Sequence, residues 1–236
     1  PSVFAEVTAN TTVGSAWETL SFDLTAFGGF STANTYDRVI VFPNFGTGGA
    51  DNFYYFDNIA IAGVTTAPAI PVDFESGIID YGIFSFGASD FGPIPADIIT
   101  NPDQSGINMS PKVLEVVKSS GAQVWAGAGF ALAGPINFSS STTMSVKVWT
   151  PSSGTPILLK IEDSTSPPDA NGNPSVFAEV TASTTVGSAW ETLNFDLTNF
   201  GAFNPANTYD RVIVFPNFGT GGSGNSYYFD DIQLTN

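Results

Sequence analysis

Residues 142–163, TTMSVKVWTPSSGTPILLKIED, decide how this chain folds. Met144, Val146 and Val148 alternate with Ser145, Lys147 and Trp149. After a Pro-Ser-Ser-Gly turn, Ile157, Leu159 and Ile161 alternate with Leu158, Lys160 and Glu162. A period of two with one apolar side is the signature of a strand buried on one face. The pattern recurs in 175–180 (SVFAEV) and 190–197 (WETLNFDL), whereas 209–218 (YDRVIVFPNF) is apolar on both sides, as for a covered strand. Further strands are expected at 72–75, 82–86, 112–118, 124–132 and 226–234. Turn-rich stretches such as NPDQSG and PPDANGN separate them. No window carries a capped 3.6-residue period. The fold class expected is all-β: a two-sheet antiparallel β-sandwich of jelly-roll type.

The composition narrows the chemistry. The 236 residues hold 22 acidic and six basic side chains, a formal charge of −16, with no cysteine and no histidine. Disulfides, thiol nucleophiles, histidine-containing triads and Cys/His zinc sites are therefore excluded. Six cations cannot track a phosphate backbone, so no nucleic-acid partner is expected. No apolar run approaches the roughly 18 residues of a membrane-spanning helix. The sequence opens Pro-Ser-Val without a basic leader. Strong acidity and abundant Gly, Ser, Thr and Asn suit an extracellular or cell-surface protein.

Self-comparison sets the organisation. PSVFAEVTANTTVGSAWETLSFDLT at residue 1 returns at residue 174 as PSVFAEVTASTTVGSAWETLNFDLT, and 49 of 63 aligned positions are identical through to the end. The offset of 173 residues is the size of a whole domain, not of a solenoid repeat. The expected layout is a rear half of a preceding repeat at 1–63, a Pro/Thr/Ala linker at 64–71 and a complete domain at 72–236. Pairing of 1–63 with 73–173 is the alternative connection.

The polar sides of the alternating strands bring Lys147, Trp149, Lys160, Glu162, Glu179 and Trp190 together if consecutive strands are sheet neighbours. Aromatic rings beside carboxylate, amide and ammonium groups suit a sugar, whose C–H face stacks while its hydroxyls hydrogen-bond. Trp125, in Gly-rich AQVWAGAGF, is a further stacking candidate. Each tryptophan also has an ordinary reading as packing at a sheet edge or under a loop.

The order VDFESG, GINMSPKV, WAG, PINFSSSTTMSVKVWTP, ILLKIED, WETLNFDL, YDRVIVFPNFG and YYFDDIQL resembles β-sandwich modules of secreted Bacteroidota proteins. These are similar to galactose-binding-like carbohydrate-binding modules. The resemblance covers 72–236 in full and 1–63 as a rear half. It implies a non-catalytic glycan-binding sandwich, β-glucan being one family context, with a structural calcium. The ion would join an acid near the first strand, Glu75 with neighbour Asp73, to one on the last, Asp230 with neighbour Asp231. Carboxylates plus carbonyls make the hard-oxygen cage that Ca2+ prefers. In the first copy Asp57 and Asn58 occupy the places of Asp230 and Asp231. Asp163 with Asp169-Ala-Asn-Gly-Asn173 is a second, weaker oxygen-rich loop.

Three functions remain. An enzyme would have to use a carboxylate pair such as Glu162 and Glu179, which is the least favoured reading, and no enzyme is expected. A polysaccharide binder would gain avidity from repetition. A structural or adhesive unit of a large surface protein, in contact with neighbouring copies of the same repeat, also fits the near-identity of the two copies.

Overall fold

A computed structural model describes residues 3–31, 33–49, 51–59, 67–77 and 79–235. The chain divides into two units, Pro1–Gly63 and Val64–Asn236.

The larger unit is an all-β sandwich. Its strands are β1 (Phe84–Phe86), β2 (Ala96–Thr100), β3 (Lys112–Lys118), β4 (Gly127–Ala131), β5 (Thr143–Thr150), β6 (Pro156–Glu162), β7 (Phe177–Ser183), β8 (Ala189–Asp196), β9 (Arg211–Phe215) and β10 (Asn225–Leu234). They form two five-stranded sheets in the orders β1-β4-β9-β6-β7 and β2-β3-β10-β5-β8, and every strand pair is antiparallel. The alternation read in the sequence sets what faces inward. Met144, Val146 and Val148 of β5 meet Ile157, Leu159 and Ile161 of β6 in one core, with Phe130, Phe195, Tyr209 and Phe229 filling it. A side chain buried at such a position contributes about 1.5–3 kcal/mol of apolar transfer.

The sheets differ from the expectation in two places. The expected strand at 72–75 is a single antiparallel bridge, Val72 to Ile232. Strand β2 occupies ADIIT, where Ile98 and Ile99 are both only half-buried and no alternation shows. The linker range 64–71 falls partly outside the described residues.

Residues 1–63 form no strand among the described positions. A 3-10 turn, Leu24–Ala26, is capped by Asp23, whose carboxylate accepts from the Thr25 N–H at 2.9 Å. The matching turn in the larger unit, Leu197–Asn199, is capped by Asp196 through the Thr198 N–H at 3.0 Å. A short polar side chain bonding its own backbone two residues on is a locally encoded corner.

Candidate functional site

The two sheets divide the residues that the sequence reading grouped on one face. Lys147, Trp149 and Trp190 lie on β5 and β8, whereas Lys160, Glu162 and Glu179 lie on β6 and β7 of the other sheet. Alternation tells which side of a strand is buried but not which sheet the strand joins. Strands consecutive in sequence here cross between the sheets at β5–β6 and β7–β8.

On the outer side of the sheet β2-β3-β10-β5-β8, one row runs Asp97, Glu115, Tyr228, Trp149, Trp190 across all five strands. The loop after β2 takes up both tryptophans. The Trp149 indole donates to Asp103 Oδ2 at 3.0 Å, and the Trp190 indole donates to the Asp103 carbonyl at 2.7 Å. Trp149 also packs on Tyr228, with ring centroids 5.2 Å apart, and Trp190 is only 7% exposed. These rings anchor a loop. Lys147 is engaged as well, its ammonium 2.6 Å from Asp231 Oδ2.

The outer side of the other sheet is different. Phe84, Gly129, Ile213, Lys160 and Glu179 form one cross-strand row. The glycines of β4 make a low floor: a Cβ on Gly129 would meet the Phe84 ring and Ile213, and one on Gly127 would meet Phe215 and a β9 carbonyl. Over that floor Phe84, Phe86, Leu158, Ile213, Phe215 and Phe218 form an apolar cluster separate from the core. Trp125 extends it outward. Its ring lies 6.0 Å from Phe86 and 6.2 Å from Phe91, with interplanar angles of 26° and 25°. Trp125 is 38% exposed and Phe91 68%. Trp125 thus links half-buried Phe86 to exposed Phe91 in a run of three rings.

Charged groups border the cluster. Glu162 is buried and receives two cations, Lys160 Nζ at 2.8 Å and Arg211 Nη1 at 3.4 Å. Lys160 also sits 4.4 Å over the Phe177 ring, and the Arg211 guanidinium 5.3 Å from that of Phe84. Glu179 faces Lys160 across the β6–β7 ladder. The sequence reading found Lys160, Glu162, Glu179 and Trp125 but not Arg211, Phe84, Phe86, Phe91, Phe215 and Phe218. The available signal was Phe-Ser-Phe at 84–86 opposite Gly-Ala-Gly at 127–129, rings on one strand facing bare backbone on the next.

The acids considered for a cation lie at the far end of β10. There the β5–β10 register shifts between Asp230 and Gln233, and Asp231 takes a positive φ of 45°. Asp230 is fully buried; its Oδ1 accepts the Asp231 N–H at 2.8 Å, and its Oδ2 has no hydrogen-bond partner. Burial pushes its pKa up from 3.8 to about 6, against the nearby Asn108 and Ser110 side chains, which favour the charged form. The Val72–Ile232 bridge lays the chain carrying Asp73 and Glu75 alongside β10. Glu75 Oε1 accepts from the Lys112 N–H at 2.9 Å, and Asp73 Oδ1 from the Glu75 N–H at 3.2 Å. Burial raises the pKa of Tyr81, the hydrogen bond from the Ser76 N–H works against it, and the charges of Asp73, Glu75 and Asp230 add smaller upward pushes. Among the described residues no three Asp or Glu side chains converge as a metal cluster. An ion here would therefore need Asp230 and Glu75 together with neutral oxygens. In the second acidic loop, Asp169 Oδ1 accepts from the N–H groups of Asn171 and Asn173 at 2.8 and 2.9 Å, and Asp163 Oδ1 from that of Thr165 at 3.0 Å. These carboxylates close turns.

No protein-family model matches the chain, and no curated protein does. Solved structures resemble it at low identity. One, described as concerning carbohydrate-binding modules of the β-sandwich superfamily, is 15% identical at a TM-score of 0.44, covering 72% of this chain and 63% of its own length. The family 11 carbohydrate-binding module from Clostridium thermocellum, in complex with a β-1,3-1,4-mixed-linked tetrasaccharide, is 14% identical at 0.45, covering 69% and 92%. A non-crystalline-cellulose-specific module of family 28 is 12% identical at 0.46, covering 71% and 94%.

Proposed function

We propose that residues 72–236 form a non-catalytic, extracellular polysaccharide-binding domain, with β-glucan-like chains as the ligand class. The observation that carries this reading is the run of Phe86, Trp125 and Phe91 above the glycine floor of β4. Aromatic faces of this kind stack on the C–H surface of a pyranose, and Lys160, Glu179 and Arg211 at the border offer hydrogen bonds to its hydroxyls. The neutralisation of buried Glu162 by two cations suits binding better than proton transfer.

A Ca2+ ion held by Asp230 and Glu75 belongs to the same proposal. The unpartnered, buried Oδ2 of Asp230 supports it, because a desolvated carboxylate oxygen without a donor is stabilised by a cation. Asp231, already bonded to Lys147, is assigned no ligand role.

The test is affinity electrophoresis through gels containing soluble β-glucans. Retardation that Trp125→Ala abolishes without changing the melting temperature is the expected result. Full retention of binding by Trp125→Ala, or no retardation of the unmodified chain by any polysaccharide, would sink the reading. The second reading, a structural or adhesive unit of a surface protein, draws on the 49 identities between the two copies and is favoured by the latter outcome.

A further inference from the structure

Every apolar side chain buried in 174–236 has an identical counterpart in the first copy. Trp190, Phe195, Tyr209, Val214, Phe229 and Ile232 are buried, and the residues that match them, Trp17, Phe22, Tyr36, Val41, Phe56 and Ile59, are exposed. Trp17 is 73% exposed. Apolar surface on this scale in a soluble chain marks an interface.

The glycines say what the interface is. A Cβ at Gly222 would run into the Ser119 carbonyl and Ala122, and one at Gly187 would meet the Ser152–Ser153 backbone at 2.7 Å. Both obstacles belong to the 72–173 part of the sandwich. Gly49 and Gly14 hold the matching places in the first copy, where a Cβ would meet nothing within 4 Å. The first copy thus keeps, with nothing against them, the two glycines whose counterparts lie against a 72–173 backbone.

The first copy also has the corners of the assembled half. Glu18 accepts from the Thr12 N–H at 2.9 Å as Glu191 does from that of Thr185 at 2.8 Å. The Ser31 N–H reaches the Tyr36 hydroxyl at 3.2 Å as the Asn204 N–H reaches that of Tyr209 at 3.3 Å. Phe30 stacks on Tyr36 at 5.7 Å as Phe203 does on Tyr209 at 5.8 Å.

We propose that residues 1–63 are a closing half that docks onto the 72–173 segment of a second copy of this chain whose own 174–236 segment is out of place. Docking adds the strands matching β7 and β9 to one sheet and those matching β8 and β10 to the other, in the register that 174–236 uses. This is strand addition at the scale of half a sandwich, with main-chain bonds supplying affinity and the matched core supplying specificity.

The test uses full-length chains. Phe56→Asp/Phe229→Asp spoils both closing halves of one chain and leaves its 72–173 segment open. Mixed with the unmodified chain, it is expected to give a 1:1 complex by native mass spectrometry. Replacing the unmodified chain by Phe56→Asp should abolish that complex. Absence of the complex in the first mixture overturns the proposal. Because the double variant could precipitate, Phe229→Asp alone is the second probe. Its 1–63 segment is intact, so it should assemble into dimers or larger species with a cooperative melt. A melt no better than that of the double variant, or a folded monomer, overturns docking on a second copy.

Discussion

Asp230→Asn should stabilise the calcium-free chain. In the folded state the Asp230 carboxyl is fully buried and titrates at about 6 instead of 3.8. The folded protein therefore holds a proton that the unfolded chain releases between these values. Stability falls as pH rises through that window, and the whole cost is present above pH 6. The difference corresponds to about 3 kcal/mol. Asparagine keeps an Oδ1 for the Asp231 N–H and removes the charge, so at pH 7.5 the variant should gain up to about 3 kcal/mol. Near pH 2.5 the gain should vanish, since both states of the unmodified chain are then protonated. Urea unfolding with a chelator present, at both pH values, measures this directly. A variant less stable than its parent at pH 7.5 would refute the claim that burial of this carboxylate outweighs the hydrogen bonds that favour its charge. Added Ca2+ should close most of that gap: about 2.7 kcal/mol for the parent at a hundredfold excess over Kd, and nothing for the variant.

Trp190→Ala should cost about 3–5 kcal/mol, because it removes a buried ring and the indole bond to the Asp103 carbonyl; thermal melting separates it from Trp125→Ala, which should melt like the parent. Gly222→Ala should destabilise the sandwich by about 1–3 kcal/mol, while Gly49→Ala, with open space around it, should leave urea unfolding unchanged. Lys118 donates from Nζ to the carbonyls of Val124, Pro216 and Asn217, and burial pushes its pKa from 10.5 down to about 8. The unfolded chain then binds the extra proton between these values, so stability should rise with pH from 8 toward 10. Lys118→Met should flatten that rise in pH-dependent denaturation.

The strands were legible because burial on one side imposes a period of two, and Met144–Val148 and Ile157–Ile161 show it without interruption. Ala96–Thr100 was not, since both its isoleucines are half-buried and neither face stands out. Sheet membership was illegible for a related reason: Lys147 and Lys160 sit on equally polar sides of adjacent strands, yet those sides belong to opposite surfaces of the sandwich. The aromatic strip escaped notice because phenylalanine reads as core until its neighbour strand is known. Gly129 leaves the room that the Phe84 ring occupies, and Gly127 the room for Phe215. The Asp103 loop was equally hidden, joining positions 46 and 87 residues apart.

The corners at Asp23 and Asp196 are written within a few residues of sequence and form the same way in both copies. Such bends cost little chain entropy to close, so a nascent segment acquires its creases before any long-distance match is made. What must then be found is a mate for a pre-bent ribbon rather than for a random coil.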